Sequence, residues 1–244
     1  MQTDMTVGKP MKMILDFTIP VFIGNVFQQF YNMADAIIVG KFVGTKGLAA
    51  VGSTGTIMFL IIGFLTGLTA GFTVLTSQKF GAGKMDEMRQ SVGNAALLSI
   101  IISVIMTAVS MVGMHSLLTL MHTPEDIFQD AYTYIMIICG GIFAQVLYNI
   151  LASILRALGN SKVPLYFLIL SAMLNIVLDP IFIYVFGMGV KGAALATIIS
   201  QGVSCLWVLK FLTGKKTVLK IRLKILFWTE KSLLRFYRSV CHRL

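Results

Sequence analysis

Six apolar stretches, each about 20 residues or longer, recur along the chain at about 13–41, 53–78, 92–113, 128–154, 163–186 and 192–212. A helix needs about 20 such residues to cross the hydrocarbon of a bilayer. In that medium a backbone satisfies its own polar groups only as a helix or as a closed barrel. Barrel strands alternate apolar and polar residues, and no such alternation is present. The sequence therefore reads as all-α: a polytopic membrane protein whose six transmembrane helices form one bundle. Only 12% of the residues are charged, about half the share of an ordinary soluble domain.

The charge is unevenly placed. Residues up to Leu209 carry 10 Lys and Arg against 9 Asp and Glu, whereas those from Lys210 onward carry 10 against one, Glu230. The positive-inside bias then sets the orientation. With the N-terminus cytoplasmic, the inner segments hold Lys9, Lys12, Lys79, Lys84, Arg89, Arg156 and Lys162, and the outer ones only Lys41, Lys46 and Lys191. Both termini are expected in the cytoplasm. Residues 1–214 are read as the bundle and 215–244 as a basic cytoplasmic tail. Cys139, Cys205 and Cys241 have no ligand or disulfide spacing. Nucleic acid is not expected as a partner, because the basicity belongs to the tail.

Carboxylates inside the apolar stretches carry the most functional information. An ionised one at the centre of a bilayer helix costs roughly 2.5 kcal/mol or more, so it faces the bundle interior and serves ions or protons. Asp16 sits near the end of its stretch, but Asp35 and Asp179 lie well inside theirs. Asn25, Gln28, Asn32 and Asp35 fall within an arc of about 80° on one helix. Ser171, Asn175 and Asp179 share a face of another. A rise of about 1.5 Å per residue puts Asp35 roughly 9 Å, Asp179 roughly 12 Å and Thr197 roughly 9 Å from the outer helix ends. Two carboxylates, an amide and a hydroxyl at one level suit a monovalent cation such as Na+, or shared protons. Tyr134 and Asn149 add polar groups to the fourth stretch. Pro20 and Pro180 each remove a backbone donor and are expected to kink their helices as hinges. Gly63, Gly67 and Gly71, four residues apart, read as a close-packing stripe.

Several segments resemble the multidrug and toxic compound extrusion (MATE) family. These are Gln29-Phe30-Tyr31-Asn32-Met33-Ala34-Asp35, Ser77-Gln78-Lys79-Phe80-Gly81-Ala82-Gly83, Arg156-Ala157-Leu158-Gly159-Asn160, Leu174-Asn175-Ile176-Val177-Leu178-Asp179-Pro180 and Gly192-Ala193-Ala194-Leu195-Ala196-Thr197. The resemblance implies one six-helix half of a twelve-helix antiporter. Such a protein expels small organic, cationic, drug-like compounds against inflowing Na+ or H+, without a cofactor, in the plasma membrane of a prokaryote. It also implies that Asp35, Asn175, Asp179 and Thr197 bind the coupling cation, and that Gln28, Asn32, Tyr134 and Asn149 support them.

The resemblance fades from Ile225 onward, and the family's second, C-terminal bundle is missing before Leu244. A truncated product or a frame shifted near 225 would explain this; so would a basic amphipathic helix lying on anionic membrane lipid. Two rival functions remain. A lipid-linked oligosaccharide flippase of the same broad superfamily favours cationic cavity residues, whereas the charges buried here are acidic. A non-transporting membrane scaffold would use the tail as its interaction element. No enzyme is expected: His115, His122 and His242 lack ligand spacing.

Overall fold

The computed structural model describes residues 9–213, so the tail reading at 215–244 lies outside the described residues. Seven α-helices follow one another: α1 (Pro10–Phe42), α2 (Thr45–Gly81), α3 (Met85–Leu120), α4 (Glu125–Gly140), α5 (Ile142–Ala157), α6 (Lys162–Pro180) and α7 (Val190–Thr213). A π-helical turn, Ile181–Val185, joins the last two. Five elements are each long and apolar enough to cross a membrane, and α4 with α5 makes a sixth span bent by 48°. Large apolar side chains such as Phe59 (77% exposed) and Val112 (84% exposed) point outward, as lipid contact requires.

Chemistry at the helix ends explains the boundaries. Pro10 opens α1 at the position where a missing N–H costs nothing. Asp86 and Glu87 lie in the first turn of α3, and Glu125 and Asp126 in that of α4, against the positive ends of the helix dipoles. Pro124 occupies the N-cap position of α4 rather than its first turn. Helices α2 and α3 outrun their apolar stretches at both ends, because polar residues continue a helix beyond the hydrocarbon. Lys46 pairs with Asp126 at 3.6 Å at one end of the bundle. Lys79 and Lys84 pair with Glu87 at 3.2 and 3.3 Å at the other.

Helix α1 runs unbroken through Pro20, which is buried. At Pro180 the α-helical winding gives way to the π turn, closed by Phe186 N–H donating to the Ile181 carbonyl at 3.0 Å. The fourth stretch, read as one helix, is broken after Gly140. Gly141 is buried at the break, where a Cβ would come within 2.5 Å of Ile198. With no side chain at Gly141, α7 approaches the break between α4 and α5.

The apolar core has three parts. One joins α2, α3 and α4 around Ile57, Ile61, Met114 and Ile135. A second, toward the Arg156 end, joins α3, α5 and α7 around Val92, Ile154 and Val208. A third surrounds Val39, Ile138 and Ala193 near the Lys46 end. Helix α1 packs chiefly on α6 and lightly on α2. Gly63, Gly67 and Gly71 do not serve packing among the described residues: a Cβ at any of them meets nothing within 4 Å. Helix α2 buries the opposite face, with Ile57, Ile61 and Leu65. Cys139 and Cys205 are free and buried. His115 lies within α3, its ring edge-on to Phe128 and Tyr132 at 5.3 and 5.8 Å.

Candidate functional site

Helices α1, α6 and α7 bring one polar cluster together inside the bundle. Asn175 and Asp179 are fully buried, one turn apart on α6. The Asn175 amide is best satisfied with its nitrogen donating to Asp179 Oδ2 at 2.9 Å and its oxygen accepting from the Thr197 backbone N–H at 3.2 Å. The opposite setting gives longer bonds, with Nδ2 at 3.3 Å from both Asp179 Oδ1 and Thr197 Oγ1. We adopt the first, because each end of the amide then faces its complement. Thr197 Oγ1 donates to the Ala193 carbonyl at 3.0 Å.

From α1, Asp35 comes within hydrogen-bonding reach of Asp179. Two ionised carboxylates at that separation repel, so the pair is stable with one proton between them or with a cation beside them. Asp35 Oδ1 is buried and finds no partner among the described residues. An unpaired buried acceptor costs roughly 1–3 kcal/mol. A cation or proton would satisfy it. Two carboxylates with the Thr197 hydroxyl oxygen close to them offer oxygen ligands of the kind a hard monovalent ion takes, while the Asn175 amide orients Asp179. No group of three or more His, Cys, Asp or Glu side chains placed to hold a metal ion is found among the described residues.

Two tyrosines complete the cluster. Tyr134, on α4, is buried within electrostatic range of Asp35, Tyr31 and Asp179. Tyr31, which the sequence reading passed over as a site residue, donates its hydroxyl to Thr197 Oγ1 at 3.4 Å. It stands one turn before Asp35 on the same face, and that i, i+4 spacing was the available signal.

The remaining expected residues lie elsewhere. Gln28 and Asn149 line a separate cavity toward the Arg156 end, together with Asn25, Gln145 and Gln201. That cavity holds about 870 Å³ including its open mouth, and Tyr31 forms part of the wall between it and the carboxylates. Asn32 belongs to neither site: it is exposed, and its amide donates to Gln29 Oε1 at 3.4 Å. At about 100° per residue the polar arc is offset by some tens of degrees from the face that α1 buries, which centres on Gly24, Tyr31 and Asp35. Asn32 lies about 80° from the centre of that face and misses the interior, whereas Asn25, farther round, still reaches the cavity.

Comparison with known proteins identifies the family. The MatE family model matches residues 20–181, a segment that takes in Asp35, Asn175 and Asp179 and ends before Thr197. The chain belongs to the MatE family. The probable multidrug resistance protein YpnP of Bacillus subtilis is 33% identical over 231 residues, which are 95% of this chain and 52% of YpnP. YoeA, a probable multidrug resistance protein of the same organism, is 30% identical over 82% of this chain and 44% of its own. An outward-facing multidrug resistance MATE family transporter of the MOP superfamily superposes with a TM-score of 0.85 at 33% identity, covering 93% of this chain and 50% of that one. The chain thus spans about half the length of the curated relatives it matches, and its fold is that of half a MATE transporter.

Proposed function

We propose that this chain is the N-terminal, cation-binding half of a multidrug efflux antiporter, driven by inflowing Na+ or H+ and exporting small organic cations from a prokaryotic cell across its plasma membrane. The observation that carries the reading is the Asp35–Asp179 pair, held by Asn175 and Thr197 inside a membrane bundle with one carboxylate oxygen unsatisfied. Relatives described as multidrug resistance proteins support the efflux half of the reading. Ion arrival at the pair changes the electrostatics between α1 and α6. Because α1 is anchored chiefly by α6, that change is transmitted to α1, with Pro20 as its weakest backbone point. In transporters built of repeats, movement of one half against the other around a shared site produces alternating access.

The test is dye extrusion by a full-length transporter carrying this bundle. Asp35→Asn and Asp179→Asn should each reduce ion-driven extrusion to background while leaving membrane insertion intact. Extrusion at the unmodified level in both variants would overturn the reading.

A further inference from the structure

The winding after Pro180 leaves one side chain where an α-helix would not put it. In continuous α winding Asp179, Ile183 and Phe186, at i, i+4 and i+7, share one face. Asp179 and Ile183 are buried, at 0% and 5% exposed, but Phe186 is 64% exposed. The π turn Ile181–Val185 accounts for the difference. Its closing bond, from the Phe186 N–H to the Ile181 carbonyl, reaches back five residues instead of four. Each residue then turns through a smaller angle, so Phe186 stops short of the inner face. The first turn of α7 fills that inner side, because the Gly192 backbone lies directly against Phe182 and Ile183.

Outside, Phe186 joins other rings. It lies 5.9 Å from Phe182, and Tyr184, 74% exposed, lies 5.8 Å from Phe42 at the end of α1. The Lys41 ammonium stands over the Phe42 ring at 5.9 Å. Lys191, in the first turn of α7, is exposed as well. Neither lysine has a carboxylate partner among the described residues. Three apolar spans end within this group: one finishes at Phe42, another at Val185, and the last begins at Val190. Aromatic rings, a tyrosine hydroxyl and unpaired lysines at the ends of spans are the chemistry of the boundary between hydrocarbon and head groups.

We infer that the π turn is a lipid anchor. Its wider winding turns Phe186 outward beside Tyr184 and Phe42, and these three rings seat the Lys46 end of α6 at the head-group level of the bilayer, with Lys41 and Lys191 facing lipid phosphates. Asp179 stands five residues before Tyr184. The anchor therefore holds the buried carboxylates at a fixed depth, roughly 7 Å below the head groups at about 1.5 Å per residue. It does not depend on the transport reading.

The test places single tryptophans in the 244-residue chain after Trp207→Phe and Trp228→Phe have removed its own two. Phe186→Trp, Tyr184→Trp and a reference, Phe59→Trp, are each reconstituted in phosphatidylcholine nanodiscs; Phe59 is exposed well inside the α2 span. The nanodiscs carry a nitroxide either on the lipid head group or deep in the acyl chain. The head-group label should quench Phe186→Trp and Tyr184→Trp more strongly than the acyl label does, and Phe59→Trp should show the reverse order. Stronger quenching of the first two by the acyl label would overturn the inference. So would a Phe186→Trp shielded from both labels, the result for unbroken α winding. A second measurement needs no tryptophan. Tyr184→Ala combined with Phe186→Ala should lower the melting temperature in nanodiscs and leave it nearly unchanged in detergent, which offers no fixed head-group plane. An equal loss in both media would assign the rings to packing within the protein and count against the anchor.

Discussion

At the scale of single residues, Asn175 is the centre of the cluster. It bonds both Asp179 and the α7 backbone. Removing it leaves the buried Asp179 carboxylate without its amide donor and the Thr197 N–H without that acceptor, a loss of about 2–3 kcal/mol for a bond to a charged group. Asn175→Ala should therefore lower the melting temperature in detergent and weaken any protection that added Na+ gives. Tyr31→Phe removes one neutral hydroxyl contact, about 1 kcal/mol. Its smaller melting shift should come with Asp35 and Asp179 still in place. A larger shift for Tyr31→Phe than for Asn175→Ala would reverse this ranking. Asp35 and Asp179 were legible from the sequence because charge inside an apolar stretch has few explanations. Tyr31 was not, since an aromatic residue there reads equally as a lipid-facing or core side chain.

At the scale of elements, two glycines decide how closely α7 approaches its neighbours. A Cβ on Gly192 would lie 2.9 Å from the Phe182 carbonyl carbon and 3.0 Å from the Ile183 nitrogen. Backbone on the far side cannot swing away, so Gly192→Ala should cost about 1–3 kcal/mol, as overpacking does. Gly141 faces the Ile198 side chain instead. Gly141→Ala should destabilise by a similar amount, and adding Ile198→Ala should restore part of the loss. Strict additivity of those two substitutions in a thermal-melt cycle would refute the contact as the cause. The break between α4 and α5 was missed because a span of continuous hydropathy reads as one helix. The Gly140-Gly141 pair was the local sign of a kink. The π turn after Pro180 also shows why proline position alone does not determine bending. Pro20 sits in an unbroken helix, whereas Pro180 lies where the winding changes.

At the scale of the whole molecule, the Lys46–Asp126 pair and the Lys79–Glu87 pair mark opposite ends of the bundle. The excess of Lys and Arg at the Arg156 end predicts that this end faces the cytoplasm. A cysteine introduced at Glu125 should react with an impermeant thiol reagent in intact cells, and one at Lys84 should not. The reverse labelling would refute the orientation. The outward face of α2 carries the open glycines 63, 67 and 71.

The sequence by itself determined the number of spans, the helical class and the two carboxylates that had to be interior, because transfer into hydrocarbon is a property of composition and length. It also matched their depths, since helical rise is nearly constant. Only the tertiary structure decided which edge of the polar arc on α1 turns inward, separating Asp35 and Gln28 from Asn32. It likewise sent Asn149 to a cavity separate from the acidic pair. Those outcomes depend on the rotation of each helix about its axis, and packing against α6 and α7 sets that rotation through contacts distant in the chain.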